Sequence, residues 1–435
     1  MNDEYKEQET AEHKEVDTGS EDTKFQETIS KAFEDLKNNQ NYYKSLTILN
    51  SNREKISFDD DSVSFLFNIF PNIHSVAETT IYIHLITYVI DNYNRIILEL
   101  PVYFQDLIIY LKGDELPPES LFTRFRNHEF MKFRQVYADF CFLFYKLMEK
   151  YQELMNPYYD DYISLLIRNM NLLDQPNLVD ISFDYFVKLI ESSSIENIDF
   201  MLISISMLDS KDKFITISLK ICQKGEEFLA EYQRHMSIDN IFDCLDDGLT
   251  LYSSFFDLLA KYVKSNDESC DFLYNKQDFY DICHQLIVNS PKYFLDNYLP
   301  HILDLLRDMI IKIGDNFVQK LFENLIFHEL LRLNTKYSDV ASIADFMLNL
   351  FNSDIISNDF RSKLINLGII EIIENSFESG VTELCRLSIN AIEITYELNP
   401  SSISAFVNEN LDMEFDDEQN DEMWFNFCKS HDLLE

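Results

Sequence analysis

Glycine and proline are scarce: the 435-residue chain has only 7 glycines and 9 prolines. Tight turns and left-handed backbone positions draw heavily on glycine, so a fold of many short strands is excluded and helices joined by short polar connections are favoured. The seven cysteines (Cys141, Cys222, Cys244, Cys270, Cys283, Cys385 and Cys428) are odd in number and at least 13 residues apart. That spacing excludes a dense disulfide scaffold and fits reduced thiols in the cytosol or nucleus. No apolar leader opens the sequence. The longest apolar stretch, Thr79 to Ile90, holds His84, ends at Asp91 and is too short to cross a bilayer. Basic residues are also in deficit, 36 against 76 acids, for a net charge of −40. Such a surface repels phosphate backbones and anionic leaflets, so neither nucleic acid nor membrane is an expected partner, and a basic protein or peptide is the permitted one.

Motifs for chemistry are missing as well. The glycines are isolated, so no phosphate loop or dinucleotide fingerprint exists, and no Cys-x-x-Cys or His-x-x-x-His pair offers metal-ligand spacing. Cys283-His284 are neighbours that a helix would point about 100° apart. Asp243, Asp247 and Gly248 share part of a calcium-loop pattern, but Leu245 and Ser254 stand where ligands are required, so Asp246-Asp247-Gly248 reads as a turn. Asp59-Asp60-Asp61 reads as a helix N-terminus. The aromatics of Tyr158-Tyr159-Asp160-Asp161-Tyr162 read as core. No enzyme activity, cofactor or metal is expected.

What the chain does have is helical periodicity. Residues 1–24 carry nine acids, three bases and almost no large apolar side chain, which predicts an acidic disordered extension. From Phe25 to about residue 411, apolar residues recur at spacings of three and four, broken at Asn156-Pro157, Ser290-Pro291 and Asn399-Pro400. Residues 412–435 form an acidic C-terminal tail. Within it, Met423-Trp424-Phe425-Asn426-Phe427 is either a last packed helix or an exposed aromatic motif.

Two anchors repeat. Phe272-Leu273-Tyr274-Asn275, Lys320-Leu321-Phe322-Glu323, Lys363-Leu364-Ile365-Asn366 and Ala405-Phe406-Val407-Asn408 lie 48, 43 and 42 residues apart. An acid or amide between apolar neighbours recurs at Asp139, Asp184, Asp257, Asp304, Asp345 and Asn390, at intervals of 45, 73, 47, 41 and 45 residues. The long interval would contain a further position near Thr216. One turn later come the polar Lys188, Lys261, Asp308 and Asn349, whereas Leu143 and Ile394 break the pattern. In the last unit, Leu384, Leu387, Ala391, Ile394 and Leu398 make an expected buried stripe opposite Arg386, Asn390, Glu393 and Glu397.

A short helix, a second helix and a longer third one within 41–48 residues resemble the armadillo repeat, with HEAT repeats similar in period. Lys363-Leu364-Ile365-Asn366-Leu367-Gly368-Ile369-Ile370 leading to Leu387-Ser388-Ile389-Asn390-Ala391-Ile392-Glu393-Ile394 carries the likeness, which is clear over about 240–411 and weak over 60–235. Only Gly368 stands at the family's glycine position. The groove tryptophans and asparagines of nuclear-import receptors are absent, Trp424 lies outside, and an acidic segment replaces the basic N-terminal one. The resemblance implies an all-α solenoid, an armadillo-like superhelix whose stacked units share one core. Read from the residues alone, Asp139, Asp184, Asp257, Asp304, Asp345 and Asn390 are the solvated faces of the third helices; the resemblance implies instead that those helices line a concave groove, which would make the six a partner-binding ladder. The function so implied is an interaction scaffold or adaptor, the alternative being a divergent nuclear-transport-type receptor or an enzyme's regulatory subunit.

Overall fold

The computed structural model describes residues 22–73, 75–93, 134–151, 155–172, 176–195, 198–247, 250–289, 291–336 and 341–434. Most of residues 1–24 therefore lie outside the described part, but residues 22–24 already belong to a helix, α1, over 22–37. The described residues contain α-helices, short 3-10 turns and no strand. The chain divides into two compact units, residues 1–213 and 214–435.

In the first unit, α2 (Tyr42–Ser51), α3 (Asp60–Asn68) and α4 (Val76–Asn92) precede α5 (Arg134–Lys150), α6 (Tyr159–Met170), α7 (Pro176–Ser192) and α8 (Ile198–Ile205). Local chemistry sets the boundaries. Asp59 caps α3 by accepting from the Ser62 amide at 2.8 Å, and Ser75 with Glu78 closes a capping box on α4. The acidic triplet is thus a helix start, as its sequence predicts. α2 packs on α4, α4 on α5, and α5 on α7, with α6 packed against α5, α7 and α8. At the far end of α4, Lys150 donates to the Ile90, Asp91 and Tyr93 carbonyls, so a cation from α5 meets the free carbonyls at a helix C-terminus.

The second unit shows the repeat directly. After α9 (Lys211–Gln223), which holds Thr216, come α10 (Glu226–His235) and α11 (Ile238–Phe242); of the turn expected at Asp246-Asp247-Gly248, the first two residues end a 3-10 helix, Asp243–Asp247, and Gly248 lies outside the described residues. α12 (Tyr252–Ser265) is the first long helix, followed by the short α13 (Asp267–Asn275), α14 (Gln277–Asn289) and the long α15 (Lys292–Ile313). The next triplet is α16 (Asp315–Glu323), α17 (Ile326–Lys336) and α18 (Ala341–Asn352); the one after is α19 (Asn358–Leu367), α20 (Ile369–Phe377) and α21 (Thr382–Leu398). All four short-helix anchors fall where expected, the last on α22 (Ser404–Glu409). Helices of the same rank stack: α12 on α15, α15 on α18 and α18 on α21; α14 on α17 and α17 on α20; α16 on α19. Polar links repeat with the same period, Gln277 to Asn324, Lys363 to Gln319 and the Ser357 amide to Asp315. The armadillo-like order of short, second and longer third helix is therefore the architecture of this unit.

Gly368 adopts φ 109° between α19 and α20, a conformation that suits a residue without Cβ. One unit earlier the same junction is made by Leu325 at φ 60°, its side chain exposed. The turn is conserved in geometry although its glycine is not, at a cost of about 1–2 kcal/mol for a left-handed leucine.

The core is continuous through each unit; in the second it includes Phe255, Leu258, Leu305, Phe317, Leu330, Phe346, Leu364 and Ile372, each at most 1% exposed. On α21 the buried stripe is rotated from the expected one. Cys385, Leu387, Ser388, Ala391, Ile392 and Thr395 are buried, whereas Leu384, Ile394 and Leu398 are only partly so. The reason is that α21 is covered on several sides, by α18, α20 and the terminal helix.

That helix, α23 (Glu418–Ser430), decides between the two readings of the aromatic cluster: it is packed. Asp417 caps it through the Asn420 amide, Trp424 is 2% exposed and donates its indole N–H to the Asn410 carbonyl at 3.1 Å, and Asn420 donates to the Thr382 carbonyl. The acidic tail thus contains a folded element that buries Trp424, Phe427 and Cys428. The six cysteines whose side chains are described are buried and form no disulfide among themselves.

Candidate functional site

The six residues of the expected ladder all fall on long helices, Asp139 on α5, Asp184 on α7, Asp257 on α12, Asp304 on α15, Asp345 on α18 and Asn390 on α21. The first two belong to one compact unit and the last four to the other.

In the second unit the stacking of α12, α15, α18 and α21 sets Asp257, Asp304, Asp345 and Asn390 on successive helices of a single layer. Three of them are joined by basic side chains of the same layer. His301 Nδ1 lies 2.6 Å from Asp257 Oδ1, so α15 meets α12 through a partly exposed pair. Arg307 donates to Asp304 on its own helix and to Asp345 on α18, both at 3.0 Å. Asn349, one turn beyond Asp345, donates to its carboxylate at 2.9 Å. The four polar groups are solvent-facing or half-buried, Asp304 being 62% exposed at its side chain. Each pair is therefore worth at most about 1 kcal/mol. Lower on the layer, Lys264 pairs with Asp308 at 3.3 Å, and burial raises the Asp308 carboxyl above its usual range. Lys312 reaches Asp267 at 2.7 Å. The arrangement can exchange or add cationic groups along a row of carboxylates. Burial pushes the Cys283 thiol up, the reverse of what a nucleophile needs, and the Cys222 thiol is pushed up to about 12.

The first unit departs from expectation at Asp139, which is 8% exposed rather than displayed. α4 and α5 pack closely there, and His84 supplies a partner at 3.6 Å, so the carboxylate is enclosed beside a titratable side chain. Asp184 is exposed on α7. Its neighbour Tyr185 stacks on Tyr145 at 4.7 Å and on Phe142 at 5.8 Å, and Lys188 sits over both tyrosine rings. Sequence reasoning missed this aromatic and cationic surface. Its signal was Lys188 one turn beyond Asp184, but the ring that completes it comes from another helix.

His84 gives a pH test. Its partner Asp139 raises its pKa above the ordinary 6.5. A raised folded value means the pair's contribution is full below about pH 6.5 and fades as pH climbs through the folded value. Because His84 is 47% exposed, we expect less than about 1 kcal/mol. Urea unfolding of wild type and His84→Gln between pH 5.5 and 8 should show the variant's deficit shrinking with rising pH; a constant deficit would refute the assignment.

No family model matches the sequence, and no curated protein does. Among solved structures, a designed armadillo repeat protein in complex with peptide (KR)4 is similar at a TM-score of 0.36 and 16% identity, over 56% of this chain and 93% of that one.

Proposed function

We propose that the protein is a non-enzymatic scaffold or adaptor that takes a basic protein or peptide along the long-helix layer of its second unit. The observation that carries this reading is the row Asp257, Asp304 and Asp345 on three successive helices, with Arg307 shared between two carboxylates. A lysine or arginine of the partner would find Asp304 half-satisfied and solvent-facing. The excess of 40 negative charges steers a cationic segment toward it, over roughly 10 Å at moderate ionic strength. Nucleic acid and anionic membrane are disfavoured on the same ground. The buried thiols suit a reducing compartment, the cytosol or nucleus.

Anisotropy titration of a fluorescent arginine-lysine peptide tests the reading. The Asp304→Asn, Asp345→Asn double variant should bind at least tenfold more weakly, about 1.4 kcal/mol, and with a shallower salt dependence. An unchanged affinity, a salt-insensitive complex or equal binding of a single-stranded oligonucleotide would overturn it.

A further inference from the structure

A second surface, separate from the long-helix layer, lies where α23 meets the loop before it. An open cleft of about 490 Å³ lies between residues 411–414 and α23. The backbone shapes it deliberately. Phe415 donates its amide to Asp421 at 2.6 Å, which pins the preceding loop to the helix. At the other end Asp432 takes φ 54° and Leu433 donates back to the Cys428 carbonyl at 2.9 Å, returning the chain so that Leu434 joins the lining.

Three large apolar side chains of the lining remain in water: Phe425 at 55% exposure, Met413 at 37% and Leu434 at 37%. α23 buries Trp424, Phe427 and Cys428 on its inner face, so Phe425 is surplus to the packing of the helix. Around these apolar groups stand Asp412, Glu414 and Glu422, all exposed. Residues 409–422 hold eight acids and no base. Elsewhere in this unit carboxylates meet Arg307, Arg386, Lys264 or Lys312. The cleft lining contains no lysine or arginine. Apolar side chains interspersed with carboxylates in one open cleft complement a bulky apolar side chain flanked by cations.

We infer that this cleft is a docking site for a basic peptide segment of a partner protein, anchored by one bulky apolar residue that packs on Phe425 and Met413 while its lysines or arginines meet Asp412, Glu414 and Glu422. Area burial alone would not discriminate partners; the carboxylates supply steering and register.

Trp424 is the chain's one tryptophan and lines this cleft, so intrinsic fluorescence of the full chain reports on it locally. The probe is a tryptophan-free lysine-rich peptide carrying a single phenylalanine, with oligolysine of equal length as control. The expected result is a saturable change in Trp424 emission, with affinity at least tenfold lower for oligolysine and for Phe425→Asp, a substitution at an exposed position. Asp304→Asn with Asp345→Asn should leave the response unchanged, so failure here is distinct from failure of the long-helix site. The inference is overturned by a silent tryptophan, by equal binding of oligolysine, or by loss of the response in the long-helix variant. Peptide-free dimerisation in sedimentation that Phe425→Asp abolishes would also overturn it, assigning the cleft to a second copy of this chain.

Discussion

Replacing Phe377 with alanine is expected to lower stability by about 3–5 kcal/mol and to release the C-terminal helix. Phe377 is fully buried, and its ring lies 5.3 Å from Phe406, 5.0 Å from Phe415 and 4.8 Å from Trp424. It therefore joins α20, α22, the loop before α23 and α23 itself. Removing the ring leaves a cavity that those segments cannot all fill, because Trp424 is held by its bond to Asn410 and Phe427 stacks on it at 5.2 Å. In a repeat array each unit is stabilised mainly by its neighbours, so the damage should stay near the C-terminus. Hydrogen exchange should show loss of protection over residues 369–430 while α12 and α15 keep theirs. Uniform loss along the second unit, or a cost below about 1 kcal/mol, would contradict this account of how α23 is held.

The repeat was legible in sequence because its signal is redundant: each short helix places an apolar pair, each long helix a polar residue between apolar ones, and both recur with one period. Helix ends were legible where capping chemistry is local, as at Asp59 and Asn399-Pro400. Facing was less legible. The α21 stripe was misplaced because periodicity finds one apolar face, whereas α21 is covered on several sides. Asp139 was misread because its burial depends on His84, fifty-five positions away, and nothing near Asp139 signals that partner. The junction at Leu325 hid behind a leucine because the left-handed turn is imposed by the packing of α16 against α17, not by the residue that makes it. The same limit applies to the Phe142, Tyr145 and Tyr185 stack, which requires two helices to be set side by side first.

The sharpest test of facing uses two adjacent residues of α15. Leu305 is fully buried and Asp304 is 62% exposed at its side chain, as consecutive residues about 100° apart on a helix can be. Leu305→Ala should cost about 2–5 kcal/mol through lost burial and a residual cavity. Asp304→Ala should cost less than about 1 kcal/mol, since it removes only a partly exposed contact to Arg307. Extending the polar change to Asp257→Ala, Asp304→Ala and Asp345→Ala together leaves His301 and Arg307 without these carboxylates, but both are more than a third exposed and can be solvated in place. The triple variant also relieves three units of charge in a molecule that carries forty in excess. Thermal denaturation should therefore place the triple variant near wild type and Leu305→Ala well below both, while the basic-peptide titration reverses the order, Leu305→Ala binding normally at a temperature where it is folded. A triple variant that unfolds would show that these carboxylates serve the fold rather than a partner. The groove reading of the long-helix layer would then be lost even if the helices stand as described.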